Sequence, residues 1–384
     1  MKWLTSYNIY NFLCVYMPLL YIYSSFVPGV DWGTAIVLLC IPLFLGETKR
    51  NNESAPSTLW AIIVYSTLCS LINLATGMYY SEPTAIIMRT GRFAVVMFVM
   101  FYWGSSKLFV PEKYIKLLRG LSLFVAAYAI LQTIVYKLTG IQLINVIGNV
   151  NSDLSILSDN GLQYRPPSIF LEPSHVCYFL TPYLCFLLFF TQHTNDKKSK
   201  KKLFEAMIIS LGMLFTTSGQ GLIVLAVCWI IWFFRSVKNM NILDIAIFAA
   251  LLLFLVKNFD FNSTINRITT TDDLNAVDAR KIGYTLLNNL TATQRFFGTG
   301  FGNYNDNVYY SSFAEILFCT GYVGLFLVVL LLLKPFFKGL LFQKVLVVSC
   351  FILMLGGGIY TASYLCLYLP FLFYCDWGNS SYAK

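Results

Sequence analysis

The sequence predicts an all-α, polytopic integral-membrane bundle: one transmembrane domain over residues 1–384, with about twelve spans (roughly ten to twelve) and two large loops outside the cytoplasm. Three observations carry this. Hydrophobic residues make up 57% of the chain and charged residues only 12%, and the mean hydropathy is +0.66. A soluble domain carries about 25% charged residues, and about half or more of any folded surface must face water, so a soluble fold has nowhere to hide this apolar excess. The apolar runs are long and continuous, as at 203–215 and 313–333, not the alternating strands of a barrel. Only helices or closed barrels satisfy every backbone group in hydrocarbon, so helices are expected. Finally, 18 of the 27 Lys and Arg fall on one set of alternate loops and seven on the other, with Arg89 and Arg92 inside a span. That bias places both termini in the cytoplasm. It also explains the net charge of +9 as a topology signal, with no nucleic-acid partner.

The spans follow in order. A helix needs about 20 residues to cross hydrocarbon, and shorter ones are tolerated inside a bundle. Spans 8–27 and 33–46 lead to the cytoplasmic cations Lys49 and Arg50, and spans 58–78 and 84–104 lead to Lys107, Lys113, Lys116 and Arg119. Span 119–138 opens onto the first outer segment, 139–171. Span 172–191 returns to a basic run at 197–202, an anchor near anionic lipid. Spans 203–217, 220–235 and 241–257 precede the second outer segment, 258–311. Spans 312–333, 344–361 and 363–376 complete the chain, and the last pair also reads as one helix with a re-entrant piece. Connections this long and polar are usually functional or disordered. The ten cysteines lie in apolar segments without a CxxC pair and read as small buried hydrophobes. Two histidines, His175 and His193, are too few for a His-rich metal site, and no cofactor is expected.

The first outer segment ends in Tyr164-Arg165-Pro166-Pro167-Ser168-Ile169-Phe170-Leu171-Glu172-Pro173-Ser174-His175. The prolines hold the chain extended, and Glu172 and Ser174 flank Pro173 at an expected helix start. Those two residues serve as caps, or else Arg165, Glu172 and His175 surround a helix N-terminus suited to anions. The second segment holds Asp278-Ala279-Arg280-Lys281 and a Gly-rich stretch from Arg295 to Tyr304. It has no strand before it and no helix after it, so it is not a nucleotide loop. Its glycines permit tight turns and close backbone approach. Arginine suits phosphate because its planar fork matches two oxygens. Arg89 and Arg92, three apart, share a helix face, and charges inside a span face the bundle interior or snorkel outward. Thr216-Thr217-Ser218-Gly219-Gln220-Gly221 reads as a tight interhelical turn.

Taken in order, these pieces resemble the O-antigen polymerase and ligase superfamily over about residues 120–335. They are Arg165 through His175, Thr217-Ser218-Gly219, Asp278-Ala279-Arg280, Phe297 through Tyr304, and Thr320-Gly321-Tyr322-Val323-Gly324 entering a span. The ligase branch carries a His-Asn pair where this chain reads Tyr309 through Glu315, so the resemblance favours a polymerase. It implies a multi-pass glycosyltransferase of the bacterial inner membrane acting at the periplasmic face. The donor would be a growing glycan on undecaprenyl diphosphate and the acceptor a lipid-linked repeat unit, with membrane lipids and a chain-length regulator protein as partners. It implies that Arg165 and Arg280, with Arg89 as a third, hold the diphosphate. Glu172 or His175 would take the hydroxyl proton, with Glu315 competing, and Arg295, Gly300, Asn303 and Tyr304 would line the substrate. The alternatives are an O-antigen ligase or another lipid-linked-sugar glycosyltransferase and, from another class, a lipid-linked oligosaccharide flippase. Transporters usually show internal repeats and paired broken helices, and neither is visible here.

Overall fold

The computed structural model describes residues 5–26, 29–45, 56–103, 108–146, 164–190, 196–236, 276–305 and 307–373. Helices α1 (Ser6–Leu20) and α2 (Trp32–Leu45) are joined by a hairpin pinned by an isolated bridge between Ser24 and Asp31. Helix α3 (Ser57–Thr76) stops at Gly77, whose φ of 72° takes the left-handed conformation that glycine adopts without strain. Helix α4 (Pro83–Phe98) begins on a proline, where the missing N–H costs nothing, and runs on as a π-helical turn over Val99–Trp103. Helix α5 (Pro111–Thr139) carries Glu112 in its first turn and Lys137 in its last, each matched to the helix dipole. Helices α6 (Pro173–Phe189), α7 (Asp196–Phe215) and α8 (Gly219–Ser236) follow. A short-helix lobe comes next: α9 (Ala276–Thr285), a 3-10 turn (Leu286–Asn289) and α10 (Ala292–Phe297), the last started by a Thr291–Gln294 capping box. Helices α11 (Ser312–Lys338), α12 (Leu341–Gly356) and α13 (Ala362–Phe373) complete the described chain.

The chain is mostly helical, and among the described residues there is no strand beyond the single bridge. Among the described residues, five helices are long and apolar enough to cross a membrane: α3, α4 as far as Phe101, α5, α8 and α11. Shorter apolar helices lie at Trp32–Phe44, α6, α12 and α13. Large apolar side chains such as Leu39, Phe234 and Phe337 stand exposed on the outer faces, where hydrocarbon rather than water is their suitable solvent.

Helices fall on eleven of the twelve expected spans, and 241–257 lies outside the described residues, as do 147–163 and 258–275 of the outer segments. Boundaries differ most at charged ends. The span expected at 119 starts at Pro111, so Lys113, Lys116 and Arg119 sit in its first turns. The lysines at 197–202 likewise open α7, and Lys334 and Lys338 close α11. Lysine and arginine are good helix formers, so a helix continues past its apolar stretch while the charge moves to its end. The last pair resolves into two helices separated by a turn at 357–361.

Two features set up the site. Helix α6 is buried on every face from Val176 to Phe189, which makes it the central helix of the bundle. Helix α11 is broken at Gly321, whose φ of 64° and ψ of −165° lie far from helical values. The break frees carbonyls within an apolar span, and the Gly-rich stretch supplies their donors. Thr299 N–H donates to Phe318 O and Gly300 N–H to Cys319 O, each at 2.9 Å, and the Tyr65 hydroxyl donates to Thr320 O at 3.2 Å. Non-helical backbone at membrane depth is stable only when protein covers it in this way. A Cβ on Gly321 would stand 2.4 Å from Phe296 O, and one on Gly298 would stand 2.2 Å from Cys319 O. The two glycines are what let the backbones meet. The Thr320–Gly324 motif, expected at the mouth of a span, therefore marks a break inside one.

Candidate functional site

Arg165 is held over the turn between α7 and α8. Its Nε donates to Thr217 Oγ1 at 3.2 Å and to Thr216 O at 3.4 Å. The backbone around it is strained at two places. Ser168 and Thr217, with φ of 53° and 48°, are the positive-φ non-glycine residues among those described. Both lie within three residues of Arg165 or in contact with it. Such conformations cost about 1–3 kcal/mol each and persist only where the surroundings impose them. Here Gln132 on α5 imposes one of them. Its Nε2 donates to Ser168 O at 3.1 Å and its Oε1 accepts from Ser168 N–H at 2.8 Å, while Ser168 Oγ donates to Val125 O. Sequence reading missed Gln132, because a glutamine in an apolar helix announces a partner without naming it.

Glu172 is the N-cap of α6 and Pro173 its first residue, as expected, but the Glu172 side chain makes no cap hydrogen bond. Its Oε2 accepts from Ser174 Oγ at 3.0 Å instead. One turn on, the His175 ring lies 5.7 Å from Tyr178 and 6.0 Å from Tyr364, centroid to centroid. The Tyr178 hydroxyl donates to Gln220 Oε1 at 3.1 Å, which brings the start of α8 into the same group. Gly357 packs so closely on that hydroxyl that a Cβ there would overlap it. The Tyr309 hydroxyl donates to Gly356 O at 3.1 Å, and Ser312 N–H donates to Gly357 O. Arg165, Glu172, His175 and the N-terminal turn of α11 thus surround one end of the bundle. The helix bearing Arg280 packs at the same end, since Tyr284 of α9 donates to Leu355 O and accepts from Ser311 Oγ. The Arg280 side chain itself lies outside the described residues.

A second polar group lies across the 357–361 turn. Arg89 donates from Nη1 to Gly302 O at 2.9 Å and to Ser81 Oγ at 3.2 Å, and its guanidinium lies 4.6 Å from the Tyr304 ring centre. Glu315, in the first turn of α11, is half-buried and interacts electrostatically with Arg89, Tyr304, Tyr21 and Tyr360. Arg92, on the same face of α4, bonds elsewhere. It pairs with buried Asp31 at 3.3 Å and donates to the Tyr21 hydroxyl at 2.6 Å, and Asp31 also accepts from Thr34 N–H and Oγ1. Burial in the loop drives the Tyr304 phenol well above its usual range, with Glu315 adding to the rise and Arg89 opposing it.

Three expected substrate residues are occupied by the protein. Gly300 N–H is bonded to Cys319 O. Asn303 donates to Met78 O and Thr299 O and accepts from Tyr80 N–H. Arg295 donates to Leu290 O and Asn288 O, closing the 3-10 turn. A small apolar crevice of about 40 Å³ runs between α3, α11, α12 and α13, lined by residues such as Leu59, Val328, Leu331, Met354, Leu369 and Leu372. Tyr360 and Tyr364 also line it, and the Tyr364 ring lies beside His175. Compared with models of known protein families and with curated proteins, the sequence matches none.

Proposed function

We propose that this chain is a membrane glycosyltransferase that joins lipid-diphosphate-linked oligosaccharide units into longer chains, in the manner of an O-antigen polymerase acting at the periplasmic face of the inner membrane. The observation that carries the reading is the strained clamp on Arg165. One unfavourable backbone conformation, at Thr217, holds the Arg165 guanidinium directly, and a second, at Ser168, lies three residues on, just before Glu172 and His175 begin α6. Strain of this kind clusters at functional sites. A lipid-linked sugar needs a dry groove for the prenyl chain and a fixed cation for the diphosphate. The acceptor hydroxyl attacks the anomeric carbon and the prenyl diphosphate leaves with its electron pair. Preorganised cations and dipoles where that charge develops are the largest available source of rate. Arg165 supplies one cation, and Arg280 on α9 is proposed as the second. Because Arg89 is held by Gly302 O, Ser81 and Tyr304, it is assigned to shaping the acceptor side instead of holding phosphate.

The test is glycan length in a polymerase-null host. The wild-type chain is expected to restore a ladder of long glycans, and Arg165→Ala at equal protein level to leave single repeat units. A host deleted for a ligase or a flippase attaches none, so rescue of only those hosts, or a full ladder from Arg165→Ala, overturns the reading.

A further inference from the structure

A glutamine buried in an apolar helix is costly unless its amide is bonded. Gln132, on α5, is fully buried and turns both ends of its amide on one residue. Its Nε2 donates to Ser168 O at 3.1 Å, and its Oε1 accepts from Ser168 N–H at 2.8 Å. Val125 lies seven residues earlier, on the same face of α5, and its carbonyl accepts from Ser168 Oγ at 2.8 Å. Helix α5 thus grips Ser168 by its N–H, its carbonyl and its hydroxyl.

The gripped residue is where the chain turns between Arg165 and α6. Phe170 N–H closes the turn on Pro167 O at 2.9 Å, with Ser168 in its second position at a φ of 53°. Pro166 and Pro167 have no N–H, so the Arg165 side of the turn offers no backbone donor before Ser168. Asn145 Nδ2 donates to Phe170 O at 3.1 Å, and two residues later Glu172 opens α6. Pro166, Pro167, Ser168 and Phe170 are all buried. A buried turn held from α5 therefore joins Arg165 to Glu172 and His175. The same helix supports the other side of the clamp. Arg165 Nε reaches Thr216 and Thr217 at the end of α7, and α7 packs so tightly on α5 that a Cβ on Gly212 would stand 2.7 Å from the Ala126 Cα. Serine resists the left-handed conformation that glycine takes freely, so the turn keeps its shape only while something holds it.

We infer that Gln132 is a positioning residue for the transfer reaction: by holding Ser168 in its left-handed conformation, it fixes where the Arg165 guanidinium stands relative to Glu172 and His175. The inference rests on the glycosyl-transfer reading above. Gln132 acts through the turn, and the charge that meets the leaving diphosphate is that of Arg165.

The experiment measures kcat and KM per folded molecule for purified full-length protein with synthetic lipid-linked repeat units, alongside thermal unfolding. Gln132→Leu removes both amide bonds and keeps the bulk. It is expected to lower kcat about tenfold or more while KM moves less than about threefold, because a group misplaced by about 1 Å costs mainly rate. Adding Ser168→Gly to Gln132→Leu is expected to recover kcat at least about threefold, since glycine takes this φ with no amide to hold it. A role in packing alone predicts no recovery, because the second change deletes the bond to Val125 O and adds no contact. Gln132→Asn keeps the amide but falls one carbon short, and it is expected to show the same loss and the same recovery. A kcat within about threefold of wild type in both Gln132 variants, no gain from Ser168→Gly, or loss of folded protein in both overturns the inference and leaves the glycosyl-transfer reading standing. Failure of the wild type itself to elongate these units removes both.

Discussion

Glu205 and Glu315 are the same side chain on two helices of one bundle, each with an arginine neighbour, and they are treated in opposite ways. Glu205 on α7 is saturated. Arg119 reaches it from α5 with contacts at 2.6 and 3.0 Å, and the Tyr183 hydroxyl from α6 adds one at 2.7 Å. These bonds tie three helices together at one point and leave no capacity for a ligand. Glu315, in the first turn of α11, is half-buried and feels the charge of Arg89, which donates to Gly302 O and Ser81 Oγ. In the first pair the partners bond each other and join three helices, whereas in the second the arginine's bonds reach the Gly-rich stretch.

Four substitutions or conditions sharpen this contrast, from the largest expected effect to the smallest. Arg165→Ala should lower turnover by about 100-fold or more with little change in melting temperature, and Arg165→Lys should recover only part, since a point charge lacks the fork. Steady-state elongation assays and thermal unfolding in detergent check both halves. Gly321→Ala should destabilise the protein by about 3 kcal/mol, because φ at 64° is strained for alanine and its Cβ would press on Phe296 O. Loss of melting temperature together with weaker protease resistance of α10 is the expected sign. Glu205→Ala should cost about 2 kcal/mol, a moderate figure because the Arg119 side chain keeps 44% of its exposure. Turnover per folded molecule should be unchanged, which a saturated structural carboxylate requires. The smallest effect is alkaline. Burial pushes the Tyr310 phenol up to about 12 from its ordinary 10.0. A raised folded value means its contribution is complete below pH 10 and is lost as pH rises towards 12. The small core that Tyr310 shares with Leu290, Ala314 and Phe318 should therefore loosen in that window, and Tyr310→Phe should abolish the dependence. Hydrogen exchange of 286–311 against pH reports it.

The sequence made the membrane helices legible because apolar continuity is dictated by hydrocarbon itself. The Glu172-Pro173 junction was readable because proline favours the first position of a helix. What remained hidden was pairing over long sequence separation. Nothing local in α5 says that Gln132 will hold Ser168, or that Asp31 will neutralise Arg92. The Gly-rich stretch was visible as permissive backbone, but Gly321 was read as part of a motif entering a span and not as its counterpart. Their fit exists only once α11 breaks beside Gly298 and Gly300. The cost of the Arg89 charge was evident in the sequence, while its partners Gly302 and Tyr304 lay some 200 residues away.

The central proposal, that Arg165 holds a prenyl diphosphate, is tested most directly by binding. A short-chain prenyl diphosphate titrated against purified protein in detergent should bind the wild type at least about tenfold more tightly than Arg165→Ala, and more tightly than the matching monophosphate. Equal affinity of the two proteins for the diphosphate contradicts the account.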